Sequence, residues 1–406
     1  MKSPETALTA PLLATLFVIG SLATIPYAAP ATTWYMTLLG ALGITAIAVA
    51  RFDRTLRWNK ITVWPVPLLV GSWAMAIASS SAQEVSLERS ASMALFSMLF
   101  ITAQIAAWHA LSMRIMQWSI ISTVLACTLD IVWQWRTGAS LILELSSNAE
   151  RLAGSQGNPN DLAVVSALLP LASTAFRGTL GLIALIAVAA LVSPTWILSG
   201  SRQAALGWFI ATLGPFVART RFRTAVIATL SFVVVCSGVV ATSTVMRGRM
   251  IQTWKRGLAE RQEIIAFGGH LFLQHPITGV GPGLYGAYYK NAAIEGWNWQ
   301  GKPLPKVGMP WVHNLPVEVL CETGVVGATA VVTILGAAAV RLRRSIRGGG
   351  AARDLAIAVA TGFLVIAAMG MIDLSFLKDW VRCVCWLLLG LAYARQTAAE
   401  PAIKLI

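Results

Sequence analysis

The chain reads as a succession of apolar runs separated by short polar links, and most runs have the roughly 20-residue length that lets a helix cross a bilayer. They lie near 8–28, 32–50, 61–81, 91–109, 115–135 and 161–176, then 179–199, 203–218, 224–245, 316–340, 354–372 and 380–396. This pattern predicts an all-α polytopic membrane protein of about twelve spans, of which 161–176 and 203–218 are the shortest. The pattern lapses for longest between 246 and 315, where polar, aromatic and Gly/Pro positions replace the apolar run. That segment is too long for a mere connector. The expected organisation is therefore nine spans in 1–245, a functional loop at 246–315 and three spans in 316–406. The first run has full span length and no small-residue cleavage site, so it is expected to remain as a span.

Charge orients this array. Only 12% of residues are charged and 56% are hydrophobic, whereas a soluble domain carries about a quarter charged residues. The net charge of +14 would suit nucleic acid if it formed one block, but the cations are dispersed between apolar runs, as in loops held on the cytoplasmic side. With the N-terminus inside, the clusters at 51–60, Arg114, Arg177, 219–223 and 341–353 all fall inside, and both termini do too. Losing one middle span would put some of them on the wrong face, which supports twelve. The outside then receives 136–160, the link Ser199-Gly200-Ser201-Arg202, and the long segment with three of the chain's four histidines. The five cysteines sit in apolar runs without disulfide or zinc spacing, and His270 and His275 do not match a zinc helix motif. No metal and no cofactor is expected.

Several residues depart from this background. Arg202 stands in a very short outside link, where a charge marks either function or an arginine snorkelling to the interface. Arg151 precedes a Gly- and Asn-Pro-bearing turn, and Asn160 at its end is either a helix cap or a ligand-binding side chain. Residues 247–274 interleave Arg247, Arg249, Lys255, Arg256 and Arg261 with apolar positions, predicting an amphipathic surface helix. His275-Pro276-Ile277-Thr278-Gly279-Val280-Gly281-Pro282-Gly283 is either a tight turn or a loop whose backbone N–H groups, Gly281's among them, meet phosphate. The aromatic residues of 285–311 suit sugar rings and equally a bilayer interface. His313 and Asn314 stand just before Pro316, which fits a helix's first turn. His313 is either structural or functional. Glu318 and Glu322 share a face below it, and Glu318 either orients His313 or complements the helix dipole.

Two stretches taken together resemble the O-antigen ligase and polymerase superfamily. They are Arg261 followed by His275-Pro276-x-x-Gly279-Val280-Gly281-Pro282-Gly283, and His313-Asn314-x-x-x-Glu318-x-x-x-Glu322-x-Gly324-x-x-Gly327. Gly157-Asn158-Pro159-Asn160-x-x-Ala163 and Ser199-Gly200-Ser201-Arg202 match further pieces in the right order, so the resemblance covers roughly 150–330. It implies a GT-C-like membrane glycosyltransferase that moves a glycan from undecaprenyl diphosphate, at the periplasmic face of the inner membrane, with inversion and no metal. Carried over by motif, His313, Arg202 and Arg261 are the catalytic candidates. Arg151, Asn160, Arg249, Arg256, Gly281, Asn314 and Glu318 are the substrate-binding ones. One position departs from the pattern: Ile265 stands where a tryptophan often follows the second arginine, which keeps Arg256 and Arg249 as alternatives to Arg261.

The chemistry fits those roles. A leaving diphosphate needs counter-charge, which arginine forks supply without a metal, and a sugar hydroxyl needs a base, which histidine supplies near neutral pH. The expectation is an O-antigen ligase with a lipid A–core acceptor. Its rival is an O-antigen or exopolysaccharide polymerase using the same donor, and the compact chain and modest second loop favour the ligase. A polysaccharide-lipid transporter is the alternative of another class. It would place ionisable residues inside matching halves of the span array, and Asp130 is the one clear acid within an apolar run.

Overall fold

A computed structural model describes residues 8–25, 33–53, 56, 58–141, 152–154, 160–176, 178–221, isolated positions between 223 and 251, 259–306 and 308–394. Among them the helices are, in order, α1 (Thr9–Ala23), α2 (Thr33–Phe52), α3 (Pro65–Ala78), α4 (Gln83–Ala106), α5 (Ala110–Thr137), α6 (Leu169–Ala172), α7 (Gly178–Val192), α8 (Pro194–Ser199) and α9 (Arg202–Arg219). There follow α10 (Ala259–Gln274), α11 (Tyr285–Glu295), a hairpin of β1 (Asn298–Trp299) and β2 (Lys302–Pro303), then α12 (Leu315–Gly348), α13 (Gly350–Gly370) and α14 (Asp379–Tyr393). The hairpin turns at Gln300 and Gly301, both with positive φ, the backbone that matches the twist of two tightly joined strands.

The protein is an all-α membrane protein in composition and architecture. Six helical stretches of the described residues are long and apolar enough to cross a bilayer: Tyr35–Phe52, Gln83–Ala106, Ala110–Thr137, Gly178–Ser199, Leu315–Gly348 and Gly350–Gly370. Thr9–Ala23, Pro65–Ala78 and Ala163–Ala172 are apolar but shorter. The run expected as a span at 161–176 is not one continuous α-helix but a 3-10 helix, Asp161–Ala167, followed by the single turn of α6, and it passes from Asn160 beside Asp373 to Ser173 beside Arg219 at the far end of α9. Pro170 lacks the N–H a continuous helix would use, and the piece is enclosed on all sides. The run at 224–245 and the start of the expected amphipathic helix fall largely outside the described residues.

Large apolar side chains such as Leu180, Leu38 and Val332 face outward, as lipid contact allows. Inside, α14 lies along α4, where Phe100 meets Trp386 and Tyr393 edge to face at 6.1 and 5.1 Å. Asp130 is buried, but its Oδ1 accepts from the Ser140 hydroxyl at 2.8 Å and the Leu141 N–H at 2.7 Å. It fastens the turn that closes α5, which accounts for an acid in that run without a transport pathway.

Residues 259–312 form a lobe with its own core of Ile264, Phe267, Leu271, Val280, Tyr285 and Tyr289. The buried tyrosines are spoken for: Tyr285 donates to the Ile264 carbonyl at 2.9 Å and Tyr289 to that of Pro305 at 2.8 Å. The lobe docks on α12. At 34 residues, α12 is about 51 Å long, well beyond the roughly 30 Å hydrocarbon core. It is broken at Gly324, whose φ of 63° and ψ of −165° are not helical.

Candidate active site

The site is assembled at the end of α12 opposite its arginine-rich last turns. Asn314 caps the helix, its Oδ1 accepting from the Val317 N–H at 3.1 Å. Its Nδ2 donates to the Met371 carbonyl at 3.1 Å, which ties the helix start to the link between α13 and α14. His313, one residue earlier, has φ 58°, a left-handed conformation that costs a non-glycine residue of order 1–2 kcal/mol. The link is strapped from two sides. Glu318 of α12 accepts from the Ser375 hydroxyl at 3.0 Å and the Phe376 N–H at 2.7 Å. Arg382 of α14 donates to the Phe376 carbonyl at 2.7 Å and the Arg89 carbonyl at 3.0 Å.

This link delivers Asp373, 6% exposed, to the centre of the site. One carboxylate oxygen accepts from Asn160 Nδ2 at 2.7 Å and from the Arg261 guanidinium at 3.0 Å. The other meets His313 Nδ1. Arg261 also donates to the Ile372 carbonyl. Asn160 in turn accepts from the Ser201 hydroxyl at 3.3 Å, and Ser201 caps α9 by accepting from the Ala204 N–H at 3.3 Å. Arg202, the first residue of α9, is therefore attached to the cluster through its neighbour.

Burial alone would raise the Asp373 carboxyl. The hydrogen bond from His313, the His313 charge, and the charges of Arg261 and Lys378 outweigh that and hold it below the usual aspartate range. An ionised Asp373 keeps the imidazole proton on Nδ1, which leaves Nε2 as the nitrogen able to take a proton. The Trp311 indole N–H also approaches Nδ1, at 3.3 Å, but the charge-assisted bond to the carboxylate is the stronger of the two. The Lys378 ammonium lies 4.2 Å from the Trp311 ring centre, a cation–π contact at the rim of the site. Burial pushes the Tyr289 phenol up to about 12, with Glu263's charge adding to it, and burial raises Tyr285 as well. Neither phenol can serve as a base near neutral pH.

The predicted residues divide accordingly. His313, Arg261, Asn160 and Asn314 come together around Asp373 and its link, with Arg202 adjacent. Asn160 spends its side chain on Asp373 and Ser201 and makes no cap bond to the 3-10 helix it precedes. Glu318 neither orients His313 nor reaches outward; it is buried and holds Ser375 and Phe376. The Gly281 N–H donates to the Glu322 carbonyl at 3.1 Å and the Val280 N–H to that of Cys321 at 2.8 Å. The glycine loop thus docks on the break in α12, and the Gly281 amide is already taken. Gly279 and Gly324 permit this docking: a Cβ on Gly324 would stand 2.2 Å from the Ile277 carbonyl oxygen, and one on Gly279 2.3 Å from the Glu322 backbone. Arg151, Arg249 and Arg256 lie outside the described residues. Asp373 was missed by sequence reasoning. Its signal was an acid, closely followed by Lys378 and Asp379, in a short polar link between two apolar runs.

Residues 162–332 match the family model described as O-antigen ligase. Over that stretch the chain is similar to the O-antigen ligase family. The match takes in Arg202, Arg261, His313, Asn314 and Glu318 and stops short of Asp373. Among curated proteins, none matches this sequence. The family supports an O-antigen ligase- or polymerase-type activity on a lipid-linked glycan, in a bacterial membrane.

Proposed function

We propose that the protein is an O-antigen ligase that transfers a glycan from undecaprenyl diphosphate to a sugar hydroxyl of lipid A–core, with inversion and without a metal ion. The observation that carries this reading is the meeting of His313, Asp373 and Arg261 beside the Ser201–Arg202 turn. In this mechanism His313 Nε2 accepts the proton of the acceptor hydroxyl as its oxygen attacks the anomeric carbon. The bond from that carbon to the diphosphate oxygen breaks from the opposite face. One displacement inverts the centre and calls for no covalent nucleophile. The proton ends on His313, whose imidazolium is paired with Asp373. The diphosphate leaves with its charge against the Arg202 fork and the N–H groups of Arg261 that are not on Asp373 and Ile372. A base of this kind contributes about 10²–10⁴-fold.

Twelve spans in a GT-C-like array, both termini in the cytoplasm and a site facing the periplasm of the bacterial inner membrane belong to the same reading. They are supported by the basic links, which all fall on one side in that arrangement. Arg151, Arg249 and Arg256 are further candidates for the donor's charge, and Asn160 and Asn314 for positioning beside it. The test is reconstituted transfer: purified protein, lipid-linked glycan and lipid A–core, with and without EDTA and with no ion gradient. Glycan on lipid A–core in both samples is expected. Product only on a second lipid-linked glycan would mean a polymerase, and no product without a gradient would sink the transferase reading.

A further inference from the structure

The exposed turn that closes α10 carries its own apolar signature. Leu273 is 76% exposed and Ile277 65% exposed. The helix ends at Gln274, and the turn that follows is flanked by bonds from the His275 N–H to the Leu271 carbonyl at 2.9 Å and from the Gly279 N–H to the His275 carbonyl at 3.0 Å. Leu273 and Ile277 are thus exposed apolar residues on either side of the end of α10.

The depth of the turn follows from its attachment to α12. The Val325 N–H donates to the Pro276 carbonyl at 2.8 Å and the Val326 N–H to that of Ile277 at 3.2 Å. Ile277 is thus level with the break at Gly324. From Val325 to Val340 the helix is apolar, and Arg341 begins the basic end. That run rises only about 24 Å, against a hydrocarbon core of about 30 Å. With Arg341 at one boundary, the break lies roughly 6 Å inside the other, and any tilt sets it deeper. Val325, Val332 and Val340 are exposed along α12, so Ile277 extends a surface that already faces lipid.

Immersion also requires that backbone polar groups be paired within the protein. Five of the turn's backbone groups meet this condition. The Pro276 and Ile277 carbonyls are bonded to Val325 and Val326, and the N–H groups of Gly279, Val280 and Gly281 to the carbonyls of His275, Cys321 and Glu322. The Thr278 hydroxyl accepts from that of Ser79 at 2.8 Å.

We infer that the 273–277 turn is seated in the bilayer leaflet nearest the active site, with Leu273 and Ile277 among the acyl chains. The lobe is then held at the height where a lipid headgroup's phosphates lie. This rests on α12 crossing the bilayer and is independent of the transfer reaction.

The test is accessibility. Ile277→Cys and Leu273→Cys are each nitroxide-labelled in the full chain, reconstituted in phospholipid vesicles, with labelled wild type as the control for native cysteines. Collision with oxygen and with a water-soluble nickel chelate is read by electron paramagnetic resonance. Val332→Cys on the lipid face and Lys290→Cys on α11 bracket the scale. The Ile277 and Leu273 labels are expected to favour oxygen as the Val332 label does. Nickel accessibility like that of Lys290 at both positions would overturn the inference. Oxygen preference that appears only after addition of a polyprenyl diphosphate would also overturn it, because the occupant would then be the carrier's chain rather than the bilayer.

Discussion

Replacing Asp373 by asparagine tests the site's internal logic most sharply. The carboxylate accepts from His313 on one oxygen and from Asn160 and Arg261 on the other, whereas an amide offers only one acceptor oxygen. If that oxygen faces His313, the amide NH2 confronts the Arg261 and Asn160 donors. If it faces Arg261, the amide NH2 donates to His313 Nδ1, which fixes the proton on Nε2 and removes the base. Either way the developing imidazolium loses its counter-charge. A hydrogen bond to a charged group contributes about 1.5–3 kcal/mol, and the wrong tautomer adds to that, so a transition-state loss of about 2–4 kcal/mol is expected. This corresponds to roughly 30- to 900-fold in rate. The assay is single-turnover transfer from lipid-linked glycan to lipid A–core by the purified variant in nanodiscs, with unfolding temperature measured alongside. A folded Asp373→Asn protein with a rate within about threefold of wild type, under ~0.7 kcal/mol, would refute the reasoning.

Other expectations follow from the same geometry. Arg202→Lys should lose on the order of 10-fold or more in kcat, because an ammonium cannot replace the two-pronged grip of a guanidinium on phosphate; steady-state kinetics checks this, and a wild-type rate would assign Arg202 to interfacial anchoring. Gly324→Ala should lower stability by about 2–4 kcal/mol, since its Cβ would meet the Ile277 carbonyl oxygen at 2.2 Å and its φ is 63°; thermal unfolding in detergent reads the loss. Asp373 is held below its unfolded value of about 3.9, so its contribution to stability is fully present above that value and is lost as pH falls through the lower folded one. Unfolding temperature followed downward in pH should therefore drop more steeply at acid pH for wild type than for Asp373→Asn, and parallel curves would contradict the assignment.

What the sequence made legible was whatever depends on local pattern. Apolar runs became helices, Pro316 entered the first turn of α12, and the basic residues marked the ends of spans. Ordered motifs brought out Arg202, Arg261 and His313, which the fold gathers from three separate elements. The parts that stayed hidden depend on contacts distant in the chain. Asp373 lies 60 residues from His313 and 213 from Asn160, and nothing in its short link has a period that points at either. Glu318 read either as a partner for His313 or as a complement to the helix dipole, and the helix turns its carboxylate to Ser375 and Phe376. The glycines of 279–283 read as a turn or a phosphate cradle. Their docking on the break at Gly324 appears only when two segments that are far apart in sequence are seen side by side. The run at 161–176 has the composition of a span, yet Pro170 divides it into a 3-10 helix and a single α turn rather than one continuous helix.

The central claim is that His313, oriented by Asp373, is the base of a glycosyl transfer. The most direct measurement is transfer of lipid-linked glycan to lipid A–core by purified, reconstituted His313→Ala protein beside wild type, both shown to insert and to unfold cooperatively. A fall of about 10²–10⁴-fold in kcat, with donor binding retained, is the predicted result. Near-normal transfer by the His313→Ala protein would contradict the account.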